Sequence, residues 1–159
     1  MHAWRAWLDL SPEVLARLAA SLDEDERERA TRFRLEHHRQ RFVAAHGALR
    51  AILALYLGRP AADLRFARGP QGKPALQEGS GAPDLRFNLA HSRDLAVCAV
   101  ARGAEVGADV EAIRPMPDAE QIAARFFSAR EQAMLREVPP GRRDEAFVVG
   151  WTRKEAYLK

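Results

Sequence analysis

The stretch Val106-Gly107-Ala108-Asp109-Val110-Glu111 decides how the rest of the chain is read. Side chains alternate across a β-strand, so Val106, Ala108 and Val110 fall on one face and Gly107, Asp109 and Glu111 on the other. The pattern predicts a strand with one apolar and one acidic face. Residues two apart on a strand are separated by roughly 6.5 to 7 Å, so the ends of Asp109 and Glu111 can converge on one point. Like charges held so close repel, and a hard divalent cation with oxygen ligands relieves the repulsion. Gly107 is expected to leave the space beside them open. A strand with a plain solvated outer face has the same spacing, so a second feature has to separate the two readings.

That feature is the segment 144–159. Phe147, Trp151, Glu155 and Lys159 recur every four residues, with Val148, Lys154 and Leu158 alongside, which is a helical period. Glu155 falls on the apolar stripe, where a carboxylate needs a partner charge or a metal. Lys154 or Lys159 offers a partner, and a Glu-Lys pair one turn apart stabilises a helix by about 0.2 to 0.5 kcal/mol. From these residues alone, metal ligand and helix-surface pair both stand.

The 159 residues are enough for a sizeable core, in one domain or in one and a half of a duplicated kind. Apolar residues make up 47% and charged residues 30%, the balance of a soluble globular chain. No run reaches the roughly 18 apolar residues of a membrane span. Met1 to Arg5 lacks a secretion signal, which places the protein in the cytoplasm. The single cysteine, Cys98, lies in an apolar run and reads as a core residue. The net charge of +3 suits an anionic ligand or an acidic partner surface. Lys and Arg are interleaved with Asp and Glu, and no zinc-finger or RNA-binding signature is present, which argues against nucleic acid.

Trp4, Ala6, Leu8 and Leu10 alternate as a first strand, and Ser11-Pro12 opens a helix. Ser21 with Glu24 reads as a capping box starting a second helix. Phe42 to Tyr56 repeats helically until Gly58 and Pro60 stop it. Arg41 lies off that apolar stripe and reads as an ordinary outward cation. Asp63 to Phe66 is a short strand, followed by the turn-rich loop Gly69-Pro70-Gln71-Gly72-Lys73-Pro74. Lys73 there is either a phosphate or adenine contact or a lysine in water. The stretch 78–83 is a flexible connection. Leu85 to Asn88 is a strand ending in Ala90-His91-Ser92, where His91 either donates to a phosphate or bonds turn backbone. Leu95 to Ala101 is a strand covered on both faces, and 102–105 folds it into a hairpin with the acidic strand. Helices follow over about 118–127, from the capping box Ser128 to Glu131, and after the break Pro139-Pro140-Gly141.

Gly107-Ala108-Asp109-Val110-Glu111, then forty residues later Trp151-Thr152-Arg153-Lys154-Glu155-Ala156-Tyr157-Leu158-Lys159, resemble the paired motifs of the surfactin-type 4′-phosphopantetheinyl transferases. These are G-[IVA]-D-[IV]-E and W-x-x-K-E-[AS]-x-x-K. Gly72-Lys73-Pro74, Phe87-Asn88-Leu89-Ala90-His91-Ser92 and Arg125-Phe126-Phe127-Ser128 fit in the same order. Ala90 stands where the family usually carries serine.

The resemblance implies an α+β fold of two pseudo-symmetric α/β halves. Residues 1–103 would form the first half, with the nucleotide-binding elements, and residues 104–159 the start of a second, incomplete half. An apolar stripe running to Lys159 without a glycine cap agrees with that reading. The implied reaction moves the 4′-phosphopantetheine arm of coenzyme A onto a serine of an acyl, peptidyl or aryl carrier protein and releases adenosine 3′,5′-bisphosphate. The resemblance assigns Mg²⁺ to Asp109, Glu111 and Glu155, and coenzyme A to Arg41, Lys73, Pro74, His91 and Lys159, with Arg41 on the 3′-phosphate. Lys159 would offset charge on the departing oxygen, and either Glu155 or a metal-held water would take the serine proton. The full-length form is expected to be monomeric. Two other readings stand beside it: a non-catalytic half-domain that binds an acidic carrier-like partner through Arg34 and Arg39, and a metal-dependent diphosphate hydrolase.

Overall fold

The structure, a computed structural model, describes residues 1–68, 73–77, 81 and 83–159. Residues 69–72 of the turn-rich loop, and 78–80 and 82 of the connection after it, lie outside the described residues. In chain order the elements are β1 (His2–Trp7), α1 (Pro12–Ser21), α2 (Glu24–Thr31), α3 (Glu36–Leu57), β2 (Phe66–Arg68), β3 (Pro74–Leu76), β4 (Leu85–Ser92), β5 (Leu95–Arg102), α4 (Ala119–Phe126), α5 (Ala129–Glu137) and α6 (Arg143–Leu158). The chain is mixed helix and sheet, as expected.

The apolar run of β5 makes it the middle strand of an antiparallel sheet ordered β1-β5-β4. The register pairs Trp4 with Cys98 and Phe87 with Val100. Alternation then sends Cys98 and Val100 to one face, where they pack with Leu85, Phe87, Leu49 and Leu53 beneath α3. Ala99 and Ala101 go to the other face and pack on Val106 and Ala108. Both faces of β5 are thus covered. Burial pushes the Cys98 thiol up to about 12, as befits a core residue. The strands β2 and β3 form a separate antiparallel pair.

The helix α3 ends where expected, at Gly58, whose φ of 61° is the left-handed cap conformation and whose N–H bonds the Ala54 carbonyl at 2.9 Å. The capping box of α2 is shifted from the expected one. Ser21 stays in the last turn of α1 and donates to the Leu18 carbonyl, so α2 starts at Glu24 with Asp23 and Glu26 as its box. The short strand expected at 63–66 is a 3-10 turn over Ala61–Asp63 followed by β2. No helix among the described residues is long and apolar enough to cross a membrane.

Between α2 and α3 lies a buried ionic cluster. Arg50 has no exposed surface. It donates from Nε to Glu26 Oε2 at 2.5 Å, from Nη2 to Asp23, and from Nη1 to the carbonyls of Ala61 and Leu64 at 3.0 Å. Its plane lies 4.9 Å over the Phe66 ring. His46 Nδ1 meets the other oxygen of Glu26 at 2.8 Å. Every partner of this buried cation is needed, because a buried charge without one is costly. Burial alone would raise the Glu26 carboxyl, but the hydrogen bonds and charges of His46 and Arg50 bring it below 4.5. Its contribution to stability is therefore present above pH 4.5 and lost as pH falls through the lowered value. Arg50→Ala leaves Glu26 with His46 but without its guanidinium partner, and is expected to cost about 3 to 5 kcal/mol in urea unfolding. The variant should also show a shallower fall in stability below pH 4.5 than the wild type, with the remainder supplied by His46; an unchanged profile would refute the role given to Arg50.

Candidate functional site

The segment 105–112 is not the strand its alternation predicts, and no hairpin forms with β5. Its apolar residues do turn inward, with Val106 and Ala108 7% and 8% exposed. The hydrogen bonds that hold it come from side chains. Even-numbered residues of β4 share the face of Ala99, and three of them bind the segment in sequence. Arg86 donates to Glu105 Oε1 at 2.8 Å, Asn88 Oδ1 accepts from Ala108 N at 2.8 Å, and Ser92 Oγ accepts from Ala112 N at 3.1 Å. The segment thus runs alongside β4 across the face of the sheet, tied at three points. Asn88 is 4% exposed, and a polar residue buried within an apolar strand was the one sequence signal for this arrangement.

Gly107 does not leave open space. A Cβ built there would sit 1.8 Å from the Ala156 carbonyl oxygen, because the last turn of α6 lies directly against the segment. That docking delivers Lys159, whose Nζ reaches Asp109 Oδ1 at 2.5 Å. Lys73 closes the junction from the β2–β3 side, donating to the Val106 carbonyl at 2.9 Å and the Lys159 carbonyl at 2.6 Å. Lys159 therefore serves Asp109 and not Glu155, and Lys154 goes to Glu131 at 2.8 Å. Lys154 and the Ser128 cap together hold the Glu131 carboxyl down to about 2.

The three predicted metal ligands are not gathered. Among the described residues no group of three or more His, Cys, Asp or Glu is arranged to hold a metal ion. Each carboxylate is engaged separately. Asp109 takes Lys159, Glu111 Oε2 accepts from Ser92 Oγ at 3.0 Å, and Glu155 lines a largely apolar cavity of about 740 Å³ between α4, α5 and α6, beside Phe127, Leu135 and Trp151. The donor chemistry does fit a hard cation. Asp109 Oδ2 is buried and has no hydrogen-bond partner among the described residues, and such an oxygen is costly unless something satisfies it.

The other predicted contacts gather in two groups. Lys73 and Lys159 meet at the junction just described, with Pro74 opening β3 beside Lys73. His91 and Arg41 belong to the α3 side. Ala96, the register partner of His91, packs on Ala44 and Ala45, one turn along α3 from Arg41. Arg41 is no free surface cation, since Asp9 holds it with two hydrogen bonds. Of the cations offered for partner binding, Arg39 is paired with Glu36 at 2.5 Å. The His91 ring keeps an exposed face at the end of β4. Even so, desolvation by neighbouring atoms, helped by the charges of His46 and Lys159, lowers its pKa below 6.5 against the opposing pull of Glu111.

Two outcomes follow from this geometry. Gly107→Ala should detach the last turn of α6, so amide exchange at Ala156 to Lys159 accelerates while α3 stays protected; unchanged exchange would contradict the docking. An imidazole NMR titration of His91 should give a midpoint below 6.5, and Lys159→Ala should move it upward, because a neighbouring cation disfavours the imidazolium.

The sequence is similar to known proteins along its length. Residues 5–103 match the family described as 4′-phosphopantetheinyl transferase, N-terminal, and residues 105–159 match the 4′-phosphopantetheinyl transferase superfamily. The whole chain is 44% identical to the 4′-phosphopantetheinyl transferase HetI of Nostoc sp., covering 67% of that protein. Over 85% of the chain it is 36% identical to psf-1 of Bacillus pumilus, covering 55% of it. Over 94% it is 27% identical to Sfp of Bacillus subtilis, covering 64% of it. The chain thus spans about two thirds or less of each of these relatives. On these matches along its full length, the chain belongs to the 4′-phosphopantetheinyl transferase superfamily.

Proposed function

We propose that this protein, in the manner of the surfactin-type members, transfers 4′-phosphopantetheine from coenzyme A to a serine of a cytoplasmic acyl, peptidyl or aryl carrier protein. The serine oxygen forms a bond to the pantetheine-bearing phosphorus as the bond from that phosphorus to the bridging oxygen breaks. Adenosine 3′,5′-bisphosphate leaves with the electron pair, and the serine proton goes to a base. Such a transfer needs mainly positioning and neutralisation of charge. The observation that carries the reading is the buried Oδ2 of Asp109, without a hydrogen-bond partner among the described residues, beside the Lys159 ammonium. A carboxylate oxygen kept available next to a cation suits a site for a pyrophosphate and its counter-ion.

Asp109, Glu111 and Glu155 are the residues that would hold Mg²⁺, which supplies charge neutralisation at the pyrophosphate when bound. Lys159 offsets charge on the departing oxygen. Arg41, Lys73, Pro74 and His91 hold the nucleotide end, with Arg41 on the 3′-phosphate. Either Glu155 or a metal-held water would take the serine proton. The low pKa of His91 leaves its ring neutral at pH 7, with one nitrogen as a hydrogen-bond donor to phosphate.

Intact-mass spectrometry tests the reading. An apo carrier protein incubated with the protein, coenzyme A and Mg²⁺ should gain one phosphopantetheine, and Asp109→Ala should slow the initial rate of that gain at least a hundredfold, about 2.7 kcal/mol of lost transition-state stabilisation. A carrier mass that never shifts would count against the transferase.

A further inference from the structure

Asp9 grips Arg41 by one edge only. Nε donates to Oδ1 at 2.7 Å and Nη2 to Oδ2 at 2.9 Å, the bidentate fork that planar guanidinium and carboxylate groups share. A guanidinium has five N–H groups arranged as two such edges. With the Nε edge taken, the edge formed by Nη1 and the second Nη2 hydrogen is turned away from Asp9. The Asp9 side chain is 61% exposed and that of Arg41 26%, so this pair contributes little to folding stability. What it does is hold a long side chain in one orientation.

The fold shows where this second edge, without a hydrogen-bond partner among the described residues, stands. Asp9 follows Leu8, whose N–H donates to the Asp94 carbonyl at 2.7 Å, so the end of β1 is pinned to the β4–β5 turn. Arg41 also feels the charge of Asp94 in that turn. Trp7 and Ser92 both pair with Leu95, which brings the ends of β1 and β4 to the same end of the sheet. Ser92 in turn bonds Glu111. Arg41 is therefore presented at the end of the sheet that carries His91, Ser92 and Glu111, and its orientation there is set by a residue outside every motif of the chain.

We infer that Asp9 is a positioning residue which clamps the Nε edge of Arg41 so that the opposite edge takes a terminal phosphate monoester of the ligand. This deepens the reading given above and rests on it, since the monoester is then the 3′-phosphate of coenzyme A. The same pair read as a competitor, with Asp9 occupying Arg41 until phosphate displaces it, makes the opposite prediction.

Calorimetric titration with coenzyme A and with 3′-dephospho-coenzyme A separates these cases, using the wild type, Asp9→Ala, Asp9→Asn and Arg41→Ala. Asp9→Ala should weaken coenzyme A roughly tenfold and leave 3′-dephospho-coenzyme A unchanged, with Asn intermediate and Arg41→Ala at least as weak. Tighter or unchanged coenzyme A binding by Asp9→Ala overturns the proposal, and so does equal weakening of both ligands, which marks a structural loss. A wild-type protein that binds neither ligand overturns the coenzyme A reading itself. Failure of the Asp9 variants alone leaves that reading standing.

Discussion

The carbonyl of Ala156 lies where a side chain on residue 107 would have to stand, and the candidate site depends on that close approach. A glycine here is a steric requirement: its hydrogen lets the backbone of α6 reach the backbone of the 105–112 segment. Lys159 then meets Asp109, and Lys73 bonds the carbonyl groups on both sides of the junction. The motif around Asp109 and the motif around Lys159 act together because two main chains touch. Their forty-residue separation in sequence has no bearing on that contact.

Beneath this junction the sheet works as a fastening. Alternation along β4 gives it two kinds of side chain. The odd-numbered Leu85 and Phe87 build the core under α3, while Arg86, Asn88 and Ser92 reach across to the acidic segment. The same strand therefore secures the core and sets the height of Asp109 and Glu111 above the sheet. On the α3 side, the cluster around Arg50 ties α2, α3 and the turn at Ala61 together, and His46 at its edge is close enough for its charge to act on His91. A buried guanidinium with carboxylate and carbonyl partners is specific about geometry, because losing any one of them leaves polar groups dry.

Electrostatics at the site is a balance of few charges. Asp109 has one oxygen on Lys159 and the other without a partner among the described residues, whereas Glu111 rests on a hydroxyl and Glu155 faces an apolar cavity. The carboxylates are thus held apart by separate partners, and the cations Lys73 and Lys159 are drawn to backbone and carboxylate oxygen at the centre. Arg41 follows the same logic at the end of the sheet that carries Glu111, one edge engaged by Asp9 and the other without a partner among the described residues.

Local pattern was enough to read much of this. The apolar run of β5, the proline and glycine punctuation of α1 and α3, and the second capping box at Ser128 all lie within a few residues, where propensity and sterics act directly. The motifs around Asp109 and Lys159 marked the two segments that meet, but the meeting expected of them, Asp109 and Glu111 with Glu155, is not seen among the described residues. Sequence did not reveal that Val106 to Glu111 stays unpaired, since alternation describes which way side chains point and leaves open whether a neighbouring strand supplies hydrogen bonds. Nor did it reveal that Ser21 belongs to α1, that Lys159 chooses Asp109 over Glu155, or that Asp9 holds Arg41. Each of those choices is a competition between partners far apart in the chain, and only the folded arrangement, by bringing one candidate within hydrogen-bond reach and excluding the other, settles which partner wins.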